Sequence, residues 1–182
     1  MKMLLFLVCF SMTISINLYS QNWPEGVSPV SVNTNDSVTV NGNLSSGKII
    51  SDMRWAWSSS NACFTQIQSA KFRGNHVFYG TTIKPGTMMK LKLTPGTSDE
   101  MAIYGYMLGE NDMYLPPKLP QCITCEADYK RDRPVKWRVE NNDRLIEFSN
   151  PTENTYTIII GVSAPAGVTD RKFSLMVKSI SY

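Results

Sequence analysis

The stretch Met89-Lys90-Leu91-Lys92-Leu93-Thr94 decides the fold class, because apolar and polar side chains alternate at every position. A period of two places the apolar residues on one face of an extended strand and the cationic residues on the other. The same alternation recurs over residues 135–139. After Asn141-Asn142 it returns in the opposite sense over residues 144–148. Asparagine tolerates the positive φ of a tight hairpin turn, so this segment is predicted to be a β-hairpin.

Further strands are expected along the rest of the chain, separated by Pro, Gly and Asn. They are predicted at residues 38–40, 76–83, 101–108, 155–162 and 172–180. No stretch carries the 3.6-residue apolar stripe of an amphipathic helix. The pattern therefore predicts an all-β protein, an antiparallel β-sandwich of jelly-roll or Greek-key type with about 8–9 strands, with a β-barrel as the alternative.

The amino terminus has the pattern of an export signal. Residues 1–20 combine Lys2 with an apolar run over residues 4–10, and the run is too short to span a bilayer. We expect this signal peptide to be removed, leaving residues 21–182 as a single secreted or periplasmic domain with no membrane span. Within that domain, residues 109–134 form an insertion rich in Pro and Cys.

Composition argues against partners that are strongly charged. The 182 residues are 42% hydrophobic and 18% charged, and the net charge is +3. Such a balance gives no electrostatic case for nucleic acid as a partner. The chain also has one histidine, His76, and lacks the Gly-x-Ser-x-Gly, His-Glu-x-x-His and phosphate-loop motifs, so we do not expect an enzyme.

Three cysteines remain after the signal peptide, namely Cys63, Cys122 and Cys125. In an oxidising compartment the favoured interpretation is a disulfide between two of them, which pins the long insertion. Which two pair is left open, because three thiols allow three pairings. The alternatives are a zinc site that adds His76 to the three cysteines, and a redox pair of Cys122 and Cys125.

Aromatic residues supply the candidate binding face. Trp55 and Trp57 would share a face if their segment is extended, either as a platform for sugar rings or as part of the core. Tyr104 and Tyr106 should share a face opposite Ile103. Their hydroxyls favour positions at the surface or rim, as does that of Tyr114.

Oxygen donors are concentrated in one turn. Glu110, Asn111 and Asp112 are weak candidates for a structural calcium site, since calcium takes six to eight oxygen ligands and the loop pattern of a dedicated site is missing. A solvated turn is the simpler interpretation. No other cofactor is expected.

Several segments of the second half resemble a known family. They are Gly74–Tyr79, Lys84–Leu91, Met101–Tyr106, Arg144–Phe148, Asn154–Val162 and Phe173–Val177. Over about residues 72–180 this succession of strands and turns is similar to the bacterial pre-peptidase C-terminal domain. The resemblance implies a β-sandwich of secreted bacterial proteins, a non-catalytic module that assists secretion or binds a substrate surface.

The sequence thus predicts a secreted, non-catalytic binding module. The first hypothesis is a glycan-binding or cell-surface adhesion role with a polysaccharide or a surface protein as partner, in which the aromatic residues and the insertion form the binding face. The alternative is a protein-interaction role, such as a periplasmic inhibitor or an immunity protein, in which the pinned insertion docks into its partner.

Overall fold

The structure is a computed structural model that describes residues 22–96, 100–130 and 142–182. The predicted signal peptide and the predicted strand and turn at 135–141 lie outside these ranges. Within them the chain forms ten strands and three short 3₁₀ helices. The strands are β1 Val27–Pro29, β2 Ser37–Asn43, β3 Lys48–Ile49, β4 Asn75–Ile83, β5 Thr87–Pro95, β6 Ala102–Leu108, β7 Thr124–Asp128, β8 Arg144–Asn150, β9 Tyr156–Ser163 and β10 Lys172–Ser181. The 3₁₀ helices are Leu44–Ser46, Arg54–Trp57 and Gln66–Phe72.

The strands form two sheets that pack face to face. The six-stranded sheet has the order β1-β4-β9-β6-β7, with β3 also paired to β4, and the four-stranded sheet has the order β2-β10-β5-β8. All pairs are antiparallel except β1 with β4, which is parallel. The predicted all-β sandwich is confirmed. The parallel pair, and the strand β7 inside the insertion, were not predicted.

The strands of the four-stranded sheet alternate between buried and more exposed residues, as the sequence pattern predicted. In β5 every second residue from Thr87 to Pro95 is buried, and β8 alternates strictly. Their buried residues pack between the sheets with Ile103, Ile158, Ile160 and Leu175, forming the inner core of the sandwich. Burial of such a shared face is the main favourable contribution to folding.

The central strands of the six-stranded sheet, β4, β9 and β6, are buried on both faces. All seven residues of β6 are buried, and so are seven of the eight residues of β9. Its outer face carries a second cluster, which we call the outer core. The outer core consists of Val27, Ile50, Met53, Trp55, Ala56, Phe64, Phe72, Phe78, Ala102, Tyr104, Tyr106, Leu108, Leu119 and Ile159. The segment 50–72 and part of the insertion therefore form a third layer over this sheet.

Candidate functional site

The third layer contains two of the predicted aromatic residues, Trp55 and Trp57, and covers two others, Tyr104 and Tyr106. Trp55 and Trp57 belong to a 3₁₀ helix, Arg54–Trp57, and not to an extended strand. Residues two apart on a helix with three residues per turn point in different directions. Trp55 is 5% exposed and belongs to the outer core, whereas Trp57 is half-buried. The condition for a shared face, an extended segment, is therefore not met, and Trp55 takes the alternative position in a core.

Tyr104 and Tyr106 do share the face of β6 opposite Ile103, as predicted, but both are 0% exposed. The expected rim positions are wrong, because segment 50–72 covers this face and supplies partners for the rings. Trp55 lies with its ring centroid 5.4 Å from that of Tyr104, and Phe72 packs edge-on against Tyr104 at 5.9 Å. Such buried rings offer no free face for stacking on a sugar.

A glycine opposite Tyr104 accommodates the ring. Gly161 of β9 is the cross-strand partner of Tyr104, and a Cβ atom on Gly161 would overlap the Tyr104 ring. Gly80 of β4 plays the same role for Trp23, whose indole lies where a side chain would be. These glycines allow large aromatic rings to lie flat on the outer face of the sheet.

His76 is held at the outer face of the six-stranded sheet by two hydrogen bonds. It is buried, with its Nδ1 2.9 Å from the Tyr104 hydroxyl and its Nε2 2.7 Å from the Phe72 carbonyl oxygen. A carbonyl can only accept, so Nε2 carries the proton and Nδ1 accepts from the hydroxyl. Burial lowers the pKa of His76 from 6.5 to about 4, against the smaller opposing effect of the bond to Phe72. At neutral pH both ring nitrogens of an uncharged imidazole are thus occupied.

The disulfide predicted from the cysteine count is present. It joins Cys63, which follows the first helix of the third layer, to Cys125 of β7, and the two cysteines are 62 positions apart in sequence. Cys122 remains a half-buried thiol whose Sγ lies 3.7 Å from the Asn61 carbonyl oxygen. Burial raises the pKa of Cys122 to about 11, so this thiol is protonated and poorly nucleophilic at neutral pH. The pair Cys122 and Cys125 is therefore not a dithiol.

Residues 109–123 of the insertion form a loop that is held to the sandwich at several points. Tyr106 donates its hydroxyl to the Tyr114 carbonyl at 2.7 Å. The Ile123 amide donates to the Met107 carbonyl at 2.8 Å. Asn61 donates to the Leu119 carbonyl at 3.2 Å, which ties the loop to the third layer. The disulfide at Cys125 lies two residues beyond the loop. These contacts fix the backbone of the loop on both sides.

The fixed loop exposes two large apolar side chains. Tyr114 is 46% exposed and Ile123 is 55% exposed, and both line a pocket of 390 Å³. Asp112 and Gln121 add a carboxylate and an amide to the same pocket. We call these four residues the loop surface. The sequence signal for it was the long insertion with its cysteines. The contacts of Leu119 and Cys122 with Asn61 could not be predicted from the sequence.

The turn with the candidate calcium ligands, Glu110, Asn111 and Asp112, is held in place by hydrogen bonds of its backbone. The Glu110 carbonyl accepts from the Thr157 hydroxyl at 2.8 Å, and the Asp112 amide donates to the Gly109 carbonyl at 3.1 Å. Across residues 22–96, 100–130 and 142–182, no three His, Cys, Asp or Glu side chains converge as a metal site would require. Two of the four ligands of the zinc hypothesis, Cys63 and Cys125, are instead joined in the disulfide. Calcium binding at Glu110, Asn111 and Asp112 stays a prediction.

Comparison with known proteins gives matches in structure only. No family model matches the chain, and no curated protein matches its sequence. One matched structure is PliG of Aeromonas hydrophila, a periplasmic inhibitor of g-type lysozyme, with 14% identity, a TM-score of 0.40, and coverage of 84% of this chain and 96% of that one. Another is the pre-peptidase C-terminal domain of the collagenase from Bacillus anthracis, with 15% identity, a TM-score of 0.39, and coverage of 86% and 99%.

The family named from the sequence is thus among the matched structures. A third match is CorA, a surface-associated copper-binding protein of Methylomicrobium album BG8, with 11% identity, a TM-score of 0.42, and coverage of 86% and 99%. At such identities the likeness concerns the fold alone. In the described part of the chain, no helix is long and apolar enough to cross a membrane.

Proposed function

We propose that this chain is an exported, non-catalytic binding module that docks a protein partner on the loop surface. The observation that carries the proposal is the exposure of Tyr114 and Ile123 around one pocket on a loop whose backbone is fixed. Tyrosine is enriched at protein interfaces because its rigid ring gives a large contact area and its hydroxyl can bond at the rim.

Preorganisation supports this use of the loop. Ordering a flexible loop on binding costs free energy, and a loop already fixed avoids most of that cost. The bonds at Tyr114, Leu119 and Ile123, together with the disulfide, restrain the backbone of the loop in the absence of a partner. A restrained loop with exposed apolar side chains is suited to contact a complementary site on another protein, as an inhibitor or an immunity protein would.

Export is supported by two separate features. The first 20 residues have the composition of a signal peptide. The Cys63–Cys125 disulfide forms and persists in oxidising compartments such as the periplasm or the extracellular space. The non-catalytic character is supported by His76, the one histidine of the chain, whose two nitrogens are both engaged inside the outer core.

A glycan-binding role is the second candidate. Burial of Trp55, Tyr104 and Tyr106 removes three of its five aromatic residues. The half-buried Trp57 and the exposed Tyr114 remain as the residues that could stack on a sugar ring. In this role Trp57 and Tyr114 would bind the sugar without help from Trp55, Tyr104 and Tyr106.

A binding experiment with matched variants separates the two roles. The chain is exported, purified with its disulfide intact, immobilised, and exposed to envelope and extracellular proteins of the producing cell and, separately, to insoluble polysaccharides. The test variant is Tyr114→Ala with Ile123→Ser. The control is Ile67→Ser, which removes an 87% exposed apolar side chain on the Gln66–Phe72 helix, outside the loop.

The expected result is one protein that the wild type and the control retain equally and that the double variant binds at least about tenfold more weakly. Loss of binding in the control as well would show a non-specific apolar contact and overturn the proposal. Retention on a polysaccharide that depends on Tyr114, with no protein retained, would establish the glycan role in its place.

A further inference from the structure

Edge strands expose one row of unpaired backbone N–H and C=O groups, and natural sheets usually protect these edges with charge, proline or short length. Most edges of this sandwich are protected in that way. Strand β1 has three residues and ends at Pro29, and β3 has two residues and contains Lys48. Strand β7 carries Glu126 and Asp128.

Strand β8 is also protected. It carries Arg144 and Glu147, and the amide of its second residue, Leu145, donates to the Asp128 carboxylate of β7 at 2.9 Å. This bond joins the edges of the two sheets on that side of the sandwich.

Strand β2 differs from every other edge strand in the described ranges. Its seven residues, Ser-Val-Thr-Val-Asn-Gly-Asn over 37–43, contain no charge and no proline. Its backbone pairs with β10 on one side only. Ser37, Thr39 and Asn41 are exposed, while Val38 and Val40 point toward the inner core. A long, uncharged and open edge is the kind of strand that pairs with another strand.

We propose that β2 pairs antiparallel with β2 of a second copy of this chain, joining the two four-stranded sheets into one continuous sheet of eight strands. The contact is isologous, because the same strand is used by both copies. It lies on a different part of the molecule from the loop surface and does not depend on the function proposed for that loop.

The sequence of β2 is self-complementary in the register centred on Val40. In this register Thr39 faces Asn41 of the second copy, and Ser37 faces its Asn43, so the exposed side chains meet as hydrogen-bonding pairs. On the inner face Val40 meets Val40, and Val38 meets Gly42, whose inner side is covered by the Phe173 ring and the Tyr79 hydroxyl. Cross-strand pairs of this kind contribute to sheet stability, and no like charges stand opposite each other.

Charges at the two ends of β2 do not oppose pairing in this register. Asp36 precedes the strand, and it faces Leu44 of the second copy. The Leu44 amide donates to the carbonyl of Arg171, and Lys172 pairs with Asn43. Asp170 lies at the same end, bonded to Asn43, so this end carries two cations and one anion. The other end carries Asp36 together with Lys178, which pairs with Ser37, so its charges balance and the register brings no two like-charged ends together.

Apolar surface beside the β2 edge would also be buried in the proposed dimer. The sandwich is open between β1 and β2, where a cleft of 940 Å³ is lined by Val30, Val40, Val77 and Tyr79 among other residues. A second strand along β2 would lie at the mouth of this cleft and remove Val40 from water. Burial of apolar surface in this way favours association.

The test is the oligomeric state of the full chain, measured by sedimentation equilibrium over a concentration series. We expect a reversible dimer. Thr39→Lys with Asn41→Lys places lysine opposite lysine at two symmetric positions about 5 Å apart and should weaken the dimer at least tenfold. Thr39→Lys with Asn41→Glu places lysine opposite glutamate at the same positions and should restore it.

Leu145→Lys with Ser149→Lys is the matched control, since it adds the same two charges to exposed positions of β8. It should leave the dimer unchanged, and circular dichroism should show that all variants are folded. A chain that is monomeric at every concentration overturns the proposal. So does a dimer that the Thr39 and Asn41 lysines leave intact. Failure of the glutamate variant to restore the dimer overturns the register.

Discussion

The Tyr104 hydroxyl donates to His76 Nδ1 at 2.9 Å, inside an aromatic cluster that covers the outer face of the six-stranded sheet. His76 Nε2–H donates in turn to the Phe72 carbonyl, so one hydrogen-bonded chain links β6, β4 and the third layer. A fully satisfied buried network makes the packing of its members specific, and an incomplete one costs free energy.

Tyr104→Phe removes the hydroxyl and leaves His76 Nδ1 as a buried acceptor without a donor. We expect the free energy of unfolding to fall by about 1–3 kcal/mol, the cost of an unsatisfied buried polar group. Tyr106→Phe is the control, since it frees the Tyr114 carbonyl on a loop that water can reach, and it should cost less. Denaturant unfolding of both variants measures the difference. Equal costs would contradict the central role of His76.

Protonation of His76 should destabilise the fold in mild acid. Its pKa is lowered to about 4 in the folded state from the ordinary 6.5, so the unfolded chain binds the proton more readily. The contribution of this group to stability is complete above pH 6.5 and is lost as the pH falls toward 4. The full loss is about 3 kcal/mol.

Because the chain has one histidine, NMR can follow its imidazole without assignment of other residues. A folded-state midpoint near pH 4 is expected, and a midpoint near 6.5 would contradict the buried neutral state. The stability of a His76→Gln variant should show a weaker pH dependence than that of the wild type between pH 4 and 6.5, because the variant lacks this titration.

The disulfide and the free thiol should differ sharply in their effect on stability. Cys63→Ser with Cys125→Ser opens a link across 62 residues, and a chain-entropy argument gives a loss of about 4 kcal/mol. Cys122→Ser should cost much less, since its thiol is only half-buried and makes one weak contact. Thermal unfolding with and without reductant checks both. A Cys122→Ser variant whose stability no longer depends on reductant would show a different pairing.

Much of the four-stranded sheet could be predicted, because each of its strands has one buried face. Such a strand has an apolar residue at every second position, as at Met89, Leu91 and Leu93. The continuous apolar runs of β6 and β9 carried a further signal, that both faces of their sheet are covered. What covers the outer face could not be predicted, because segment 50–72 has no regular period. The cysteine pairing likewise depends on distances in space, since three thiols are equivalent in sequence.

The close approach of Gly161 and Tyr104 gives the last prediction. A methyl group on Gly161 would overlap the Tyr104 ring, which is fully buried and packed against Trp55, Phe64 and Phe72. Because the ring is buried and contacts three other rings, Gly161→Ala should destabilise the fold by about 3 kcal/mol through overpacking. Gly109→Ala is the matched control. Its Cβ would meet only the Asp112 carboxylate, the end of an exposed and flexible side chain, so its cost should be small. Denaturant midpoints of the two variants decide the matter, and a Gly161→Ala protein as stable as the control would show that the outer core is loosely packed.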